Sequence, residues 1–490
     1  MPYADLAFFH THPRHLATVA MLCGLPATPV EHCRVLELGC GSGFNLMAMS
    51  QSLPHSQFVG VDLSQRQIEH GRAIAREIDC DRVDLRVGRI EDLDPSLGQF
   101  DYVIAHGVYS WLPPAIQPQL FEAMRRHLAP HGIGYVSYNT YPGWQFRSML
   151  RNILCFFSPP DAAPTDRVRV TLEQVSQMLA DLPEQDSLST KVLIQEFEQI
   201  KTQRDYYLLH EHFTEFNTPV LVSEFVRAAR QHGLNYLCES RYGTNTFAGS
   251  REEREVLDLS GDDLIRREQY HDFRWHRYFR QTLLVHDSVE PSRKADSATV
   301  ANMYLHPRVT FDSPPGKITE SEFDLVRREE DGEILELGDA VFRAILRRLD
   351  QHSPRALKAN EFLFDIAEGF PEAVRMGIAN AMLSAAVLRG YVEGYWHLYA
   401  TEPPYAIQIR EKPRACALAR YQSQHTASIT NRLHRTARLE EKERQLLGRL
   451  DGQLDRDELA RQMKCSREEI DSTLERLVRH AVLDGEELFL

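Results

Sequence analysis

Three glycines at alternate positions, Gly39, Gly41 and Gly43, follow an acidic residue, Glu37, and a second acid, Asp62, closes the next apolar run. Residues without a Cβ let the backbone approach a ligand closely and accept positive φ. The spacing Glu-x-Gly-x-Gly-x-Gly is tighter than the G-x-G-x-x-G of dinucleotide sites. An acid just before the first glycine suits a ligand's amino group better than a pyrophosphate. Asp62 is placed to accept hydrogen bonds from both hydroxyls of a ribose, a placement shared with NAD enzymes, so it does not discriminate. The spacing therefore favours S-adenosylmethionine, although a Gly-rich turn alone also serves dinucleotides.

A second group of residues could meet whatever reacts there. Tyr109 and Trp111 follow the fourth apolar run; Tyr138, Tyr141 and Trp144 follow the fifth, with Asn139 among them. Methyl transfer is an in-line displacement from a cofactor that already carries its leaving group, so the protein mainly aligns, desolvates and selects. An amine nucleophile gives a cationic product, which aromatic faces and carbonyls stabilise. Tyr109, Trp111, Asn139 and Tyr141 are the candidate substrate wall. The plainer alternative is that these side chains fasten loops to the core. His106 reads as a base or as a neighbour of the methionine moiety, and the second is preferred.

Elements able to position these groups can be read around them. Val35–Leu38 is a strand running into the glycine turn, with a helix over 45–52. Phe58–Asp62 is the next strand, and Ser64 caps the helix after it. Strands follow at Val83–Val87, Phe100–Ala105 and Ile133–Tyr138, with a helix over 115–128 before the last. Alternating strands and helices predict a mostly parallel sheet, and ligands of such sheets collect at the carboxyl ends of the strands. Beyond the Pro-rich linker 158–164, residues 165–290 look mainly helical. Another break falls near 287–318, and amphipathic segments at 336–349, 358–368 and 372–390 follow.

At 490 residues the chain is long enough for several domains. Its 43% hydrophobic and 26% charged content is that of a globular protein. No apolar run approaches the roughly 20 residues of a membrane span. The N-terminus lacks the basic region and apolar core of a secretion signal. The eight cysteines show no paired spacing, which argues against disulfides or zinc and fits a cytoplasmic location. A net charge of −14 lacks the footprint of a nucleic-acid binder. Residues 454–463 and 466–477 have helix-turn-helix character, but four acids against two arginines between Ser466 and Leu477 suit a protein-facing or structural winged helix.

The resemblance is more specific than these patterns. Val35–Gly43 resembles the first motif of class I methyltransferases, Gly60–Ser64 their second and Phe100–Ile104 their fourth. His106–Pro113 and Ser137–Trp144 resemble a narrower bacterial family in which a methyltransferase domain precedes a methyltransferase regulatory domain. Leu208–His212, Gly233–Leu237, Gln269–Phe273 and Phe279–Leu284 continue the match. That family includes rickettsia-type protein lysine methyltransferases with winged-helix-like C-terminal domains. The resemblance implies an α/β Rossmann-like methyltransferase domain with a mostly parallel seven-stranded sheet, followed by mainly helical domains, the last winged-helix-like. The expected division is 1–160, 161–300, 301–400 and 401–490.

It also implies cofactor contacts from Glu37, Gly39, Gly41, Asn45, Asp62 and Leu63, and Cys40, Gly43, Gln67 and His106 complete the expected cofactor set. In the third motif, Gly88-Arg89-Ile90-Glu91, Arg89 stands where an acid is usual, which leaves the Ile90 backbone and Glu91 for the adenine. Tyr3 and Thr11-His12-Pro13 are expected near the cofactor, His12 being equally readable as a helix-start histidine. The Asn-Pro-Pro-Tyr motif of DNA-base and glutamine methyltransferases is absent at 105–110. The leading expectation is N-methylation of lysine side chains in a protein substrate. Small-molecule methylation and a catalytically idle S-adenosylmethionine-binding protein are the alternatives, and a homodimer is admitted.

Overall fold

The structure, a computed structural model, describes residues 5–26, 28–182, 187–244, 263–311, 324–329, 332–365 and 378–485. Its centre is a seven-stranded sheet in the order β3-β2-β1-β4-β5-β7-β6. The strands are β1 (Arg34–Leu38), β2 (Gln57–Asp62), β3 (Val83–Val87), β4 (Phe100–Ala105), β5 (Leu128–Asn139), β6 (Leu234–Glu239) and β7 (Phe279–His286). The first five are mutually parallel, and β7 runs antiparallel to both β5 and β6. β1 and β4 lie side by side where the strand order reverses, the place at which ligands of an open α/β sheet bind.

The last two strands correct an expectation. The described residues of 165–290 are mainly helical, as expected, but β6 and β7 also lie within them and complete the sheet. The cut at residue 160 therefore divides the sheet's strands five to two. Short apolar runs such as Leu234–Cys238 carry no period that separates a strand from a buried helix segment. Their pairing, moreover, is not local: β7 joins the sheet on β5, which lies far earlier in the chain, and β6 joins only through β7.

Helices cover both faces. α1 (Pro13–Leu22) and α2 (Phe44–Ser52) lie on one side with α3 (Gln65–Glu77); α4 (Gln117–His127) lies on the other. The helix Val222–Gln231 presents Val222, Phe225, Val226 and Ala229, a stripe at helical spacing, to α4 and β6. α2 is buried almost all round, which requires cover on its outer face too. The helix Ala417–His425 of the C-terminal region supplies it, and its Leu418 joins the same core cluster as Phe44 and Leu46.

Helices Trp144–Phe157, Pro164–Ala180 and Leu188–Lys201 pack into a separate cluster with Leu208 and Phe213. The region 301–400, expected to be helical or winged-helix-like, has strands as well as helices among its described residues. It holds the three-stranded sheet Val309–Phe311, Asp324–Arg328 and Ile334–Leu337, and a second of Tyr304–Pro307, Leu357–Lys358 and Trp396–Tyr399. The helix expected over 336–349 is instead strand Ile334–Leu337 followed by helix Ala340–Gln351, which Asp339 caps. The segment expected to be helical over 372–390 is described only from 378 onward, as helix Ala379–Glu393. The C-terminal helices Arg456–Met463 and Arg467–Arg479 occur as read, each opened by a capping box, Asp455 with Glu458 and Ser466 with Glu469.

Candidate active site

Glu37 lies on β1, 3% exposed, one residue before the strand ends. Its Oε1 accepts a hydrogen bond from Asn45 Nδ2 at 2.8 Å. Its Oε2 is buried with no hydrogen-bond partner among the described residues. Burial pushes the carboxyl up to about 8, against the Asn45 hydrogen bond. An orphaned carboxylate oxygen at a strand end is what a cationic amino group would satisfy.

The turn after β1 places Gly39, Gly41 and Gly43 at φ of +71°, +56° and +72°. The Gly41 N–H donates to Asp62 Oδ2 at 2.8 Å, and the Ser64 N–H donates to Asp62 Oδ1 at 2.8 Å. Asp62 at the end of β2 thus ties the two loops together while each oxygen keeps a free lone pair. α3 approaches the same loop so closely that a Cβ on Gly71 would lie 1.9 Å from the Ser42 carbonyl oxygen. Cys40 turns its sulfur toward Gly60 and the core, so only its backbone faces the loop's ligand side.

The N-terminal segment lies over this loop. The Ser42 hydroxyl donates to Asp5 at 2.6 Å, and the Phe8 N–H donates to Asn45 Oδ1 at 3.0 Å. The Phe8 ring sits 4.0 Å from the His106 ring. His106 pairs through Nδ1 with the Tyr135 hydroxyl at 2.9 Å, and desolvation lowers its pKa to about 4, so it is neutral. His12 is the N-cap of α1, its Nδ1 accepting from the Arg14 N–H and its Nε2 lying 2.8 Å from the Ser52 hydroxyl. That is the helix-start role. Tyr3 lies outside the described residues.

On the far side of the loop, Leu63 is 67% exposed although it directly follows a buried strand. Gln67 is buried, and its Oε1 has no hydrogen-bond partner among the described residues. Arg89 points outward and pairs with Glu91 at 2.6 Å, while Ile90 packs on the core.

The expected convergence of Tyr109, Trp111 and Tyr141 is not met at Tyr109. Its ring is 3% exposed and packs among Phe121, Tyr138 and Phe225. Tyr109–Trp111 forms a 3₁₀ turn, whose successive side chains point about 120° apart, so the first and third cannot share a direction. Trp111 is half-buried instead, stacked on His210 at 4.8 Å and 13° between planes, with its Nε1 donating to the His210 carbonyl at 3.0 Å. Asn139 is buried at the end of β5 and donates to Glu211 at 3.3 Å and to Asn217 Oδ1 at 3.0 Å. Burial pushes Glu211 up to about 7. Tyr141 is half-buried just beyond, its N–H donating to the Val220 carbonyl at 3.3 Å.

Residues 35–132 match the family described as "Methyltransferase domain", 204–286 the "Predicted methyltransferase regulatory domain", and 411–488 the "PKMT, C-terminal winged helix domain". The Rickettsia prowazekii protein RP789 is 30% identical over 473 residues, covering 93% of this chain and 83% of its own. A second protein of that organism, RP028, is 35% identical over 237 residues, covering 48% of this chain and 95% of its own. The structure of PKMT2 from Rickettsia typhi matches with a TM-score of 0.85 at 29% identity, covering 99% of this chain and all of that one. PKMT2 has also been solved in complex with AdoHcy, with the same likeness.

The chain is an S-adenosylmethionine-dependent methyltransferase of the rickettsial PKMT type. The methyltransferase's regulatory-domain match coincides with residues that finish the catalytic sheet, since β6 and β7 both lie within 204–286. No helix among the described residues is long and apolar enough to cross a membrane.

Four of the methyltransferase's neighbours to this site were missed by motif reading. His210 and Glu211 belong to Leu208–His212, which carries the family resemblance but no spacing that announces a site. Asn217 stands in a segment without regular structure. His434 reaches Asn45 from the C-terminal region. Nothing local marks any of them, because each acquires its neighbours only through folding.

Proposed function

We propose that this methyltransferase N-methylates lysine side chains of a polypeptide. The observation that supports this most is the likeness to PKMT2 along the whole chain, winged-helix domain included. Bound S-adenosylmethionine supplies an electrophilic methyl group on a sulfonium leaving group. On this reading Glu37 Oε2 takes the cofactor's amino group, and the backbone of Gly39, Cys40, Gly41 and Gly43 lines its path. Asp62 takes the ribose. Leu63, Ile90 and Glu91 bound the adenine, with Gln67 and the Arg89–Glu91 pair at its edge. His106, held neutral by Tyr135, flanks the methionine moiety. Asn45 acts through Glu37, because its amide is already satisfied by the protein.

The substrate side is built differently from the aromatic ring of the sequence reading. Trp111 and His210 form one wall, and Asn139 with Glu211 presents oxygens at the end of β5. A carboxyl near 7 next to an aromatic face suits an ammonium that must lose a proton before it attacks. Tyr141 borders this group. Incubation with methyl-labelled S-adenosylmethionine and a bacterial protein extract should place label in protein, recoverable as methyl-lysine after hydrolysis. Label confined to the small-molecule fraction would replace this reading with small-molecule methylation.

Asp62→Ala should weaken S-adenosylhomocysteine binding by about 1–3 kcal/mol through lost charge-assisted hydrogen bonds. The upper part of that range is expected, since Asp62 also anchors the Gly41 and Ser64 amides. Unchanged affinity by calorimetry removes Asp62 from the site. Trp111→Ala should lower turnover by about 1–3 kcal/mol of barrier while sparing cofactor affinity, because the cation–π face and water exclusion go together. Trp111→Phe should recover part of the loss. Initial rates and thermal unfolding on the same variants decide the matter: normal activity, or unfolding in place of slow turnover, ends the case for Trp111 as a substrate wall.

A further inference from the structure

Asn45 stands behind Glu37, and every polar atom of its amide is engaged. Its Nδ2 donates to Glu37 Oε1 at 2.8 Å and to the Thr11 hydroxyl at 3.0 Å. Its Oδ1 accepts from the Phe8 backbone N–H at 3.0 Å. A backbone N–H can only donate, so this contact fixes which side of the amide is oxygen. The Thr11 hydroxyl also lies 3.4 Å from Oδ1, and the shortest contact there is His434 Nε2, 2.8 Å away and 389 residues along the chain.

Facing an oxygen, His434 must carry its proton on Nε2. Its Nδ1 is then bare, and it is buried with no partner among the described residues. Burial lowers the imidazole's pKa to about 3, so it stays a neutral single donor. The ring is also aimed. It sits on the turn between strands Ser428–Thr430 and Thr436–Arg438, at φ +59°. The His434 N–H donates to the Asn431 carbonyl, and the Leu433 and Arg435 N–H groups donate to the Asn431 side chain. The loop is thus built around one side chain that leaves its own domain and ends, 1% exposed, against the glycine-loop helix.

We propose that His434 is a positioning residue of the methyl-transfer site: its donation to Asn45 Oδ1 locks the amide that aims Glu37, so the C-terminal winged-helix domain completes the cofactor site. This rests on the reading of Glu37 as the ligand of the cofactor's amino group. Without the lock, the Asn45 amide loses the shortest of the donor contacts that oppose its flipping. A flipped amide would set oxygen against the Glu37 carboxylate, acceptor against acceptor. The C-terminal domain would then tune cofactor affinity without touching the cofactor.

The test uses the full-length chain and S-adenosylhomocysteine. His434→Ala should raise its Kd about tenfold, the scale of one hydrogen bond whose loss leaves a buried acceptor short. Turnover at saturating S-adenosylmethionine should change less than twofold. His434→Gln, which can return an N–H donor and shares the same left-handed backbone cost, should recover most of the affinity. Leu418→Ala loosens the packing of the C-terminal domain on α2 without touching Asn45. It should lower the melting temperature and leave Kd within twofold. The proposal is overturned if His434→Ala binds normally, if glutamine is no better than alanine, or if Leu418→Ala weakens binding equally. Glu37→Gln separates the premise from the inference. If it binds as the parent does, the reading of Glu37 falls, whereas a weak Glu37→Gln beside a normal His434→Ala removes only the relay.

Discussion

Replacing Arg280 by methionine is expected to destabilise the catalytic domain by about 3–5 kcal/mol, the cost of breaking a buried ion network by removing one partner. Arg280 is on β7, 1% exposed. Its guanidinium donates to Glu239 at 2.5 Å, to Glu268 at 3.0 Å and to both Asp272 oxygens at 2.8 and 2.9 Å. Burial opposes its charge, and the three carboxylates more than offset this, holding its pKa well above the ordinary value. Methionine fills much of the volume and supplies no charge, so the carboxylates would remain in the core with Arg277 as their neighbour. Arg280→Lys should rescue only in part, since an ammonium cannot reproduce the two-pronged contact.

The deficit should depend on pH. Burial pushes Asp272 up to about 6 even beside the guanidinium. A group whose folded pKa is raised contributes stability below its unfolded pKa and loses it as pH rises through the folded value. Removing Arg280 raises that value further, so the variant should fall further behind the parent at pH 8 than at pH 5.5. Denaturant midpoints of parent and variant at the two pH values check this. A methionine variant within about 1 kcal/mol of the parent at pH 8 would mean the network contributes little net stability.

Gly41→Val is expected to weaken S-adenosylhomocysteine binding by about 100-fold or more, close to 3 kcal/mol. Gly41 has φ +56°. A β-branched residue there is a steric outlier, and the left-handed conformation alone costs about 1–2 kcal/mol. Relief by rotating the backbone would withdraw the Gly41 N–H from Asp62 and shift the loop that the cofactor must pass. Gly41→Ala should fall between valine and the parent. Calorimetry is the check, alongside circular dichroism to confirm folding. Valine binding within threefold of the parent would place the cofactor away from this turn.

Both predictions show where the site was legible. Glu37, the three glycines and Asp62 announce themselves because their roles are local: backbone conformation and the end of a strand are encoded within a few residues. Asn45 was legible as a position but not as a role. Its amide is engaged by Phe8, Thr11, Glu37 and His434, and three of those four come from outside its own strand–turn–helix unit. Tyr109 shows the opposite failure. Position after a strand placed it at the mouth, but the 3₁₀ turn rotates it into the core.

By itself the sequence determined the five-strand parallel half of the sheet, the glycine turn, the cofactor class and the helical pair of the C-terminal domain. Each rests on periodicity, capping or steric rules that act over a handful of residues. Only the tertiary structure decided that residues 234–286 finish the sheet, that Trp111 meets His210 and Glu211 meets Asn139, and that Arg280 gathers three carboxylates from β6 and the helix Leu264–Trp275. Apart from the Arg280 contacts to the helix just before β7, these contacts join segments far apart in the chain. Pairing between distant strands and ions buried together are chosen by which surfaces can be covered at once, a property of the whole chain that no local window contains.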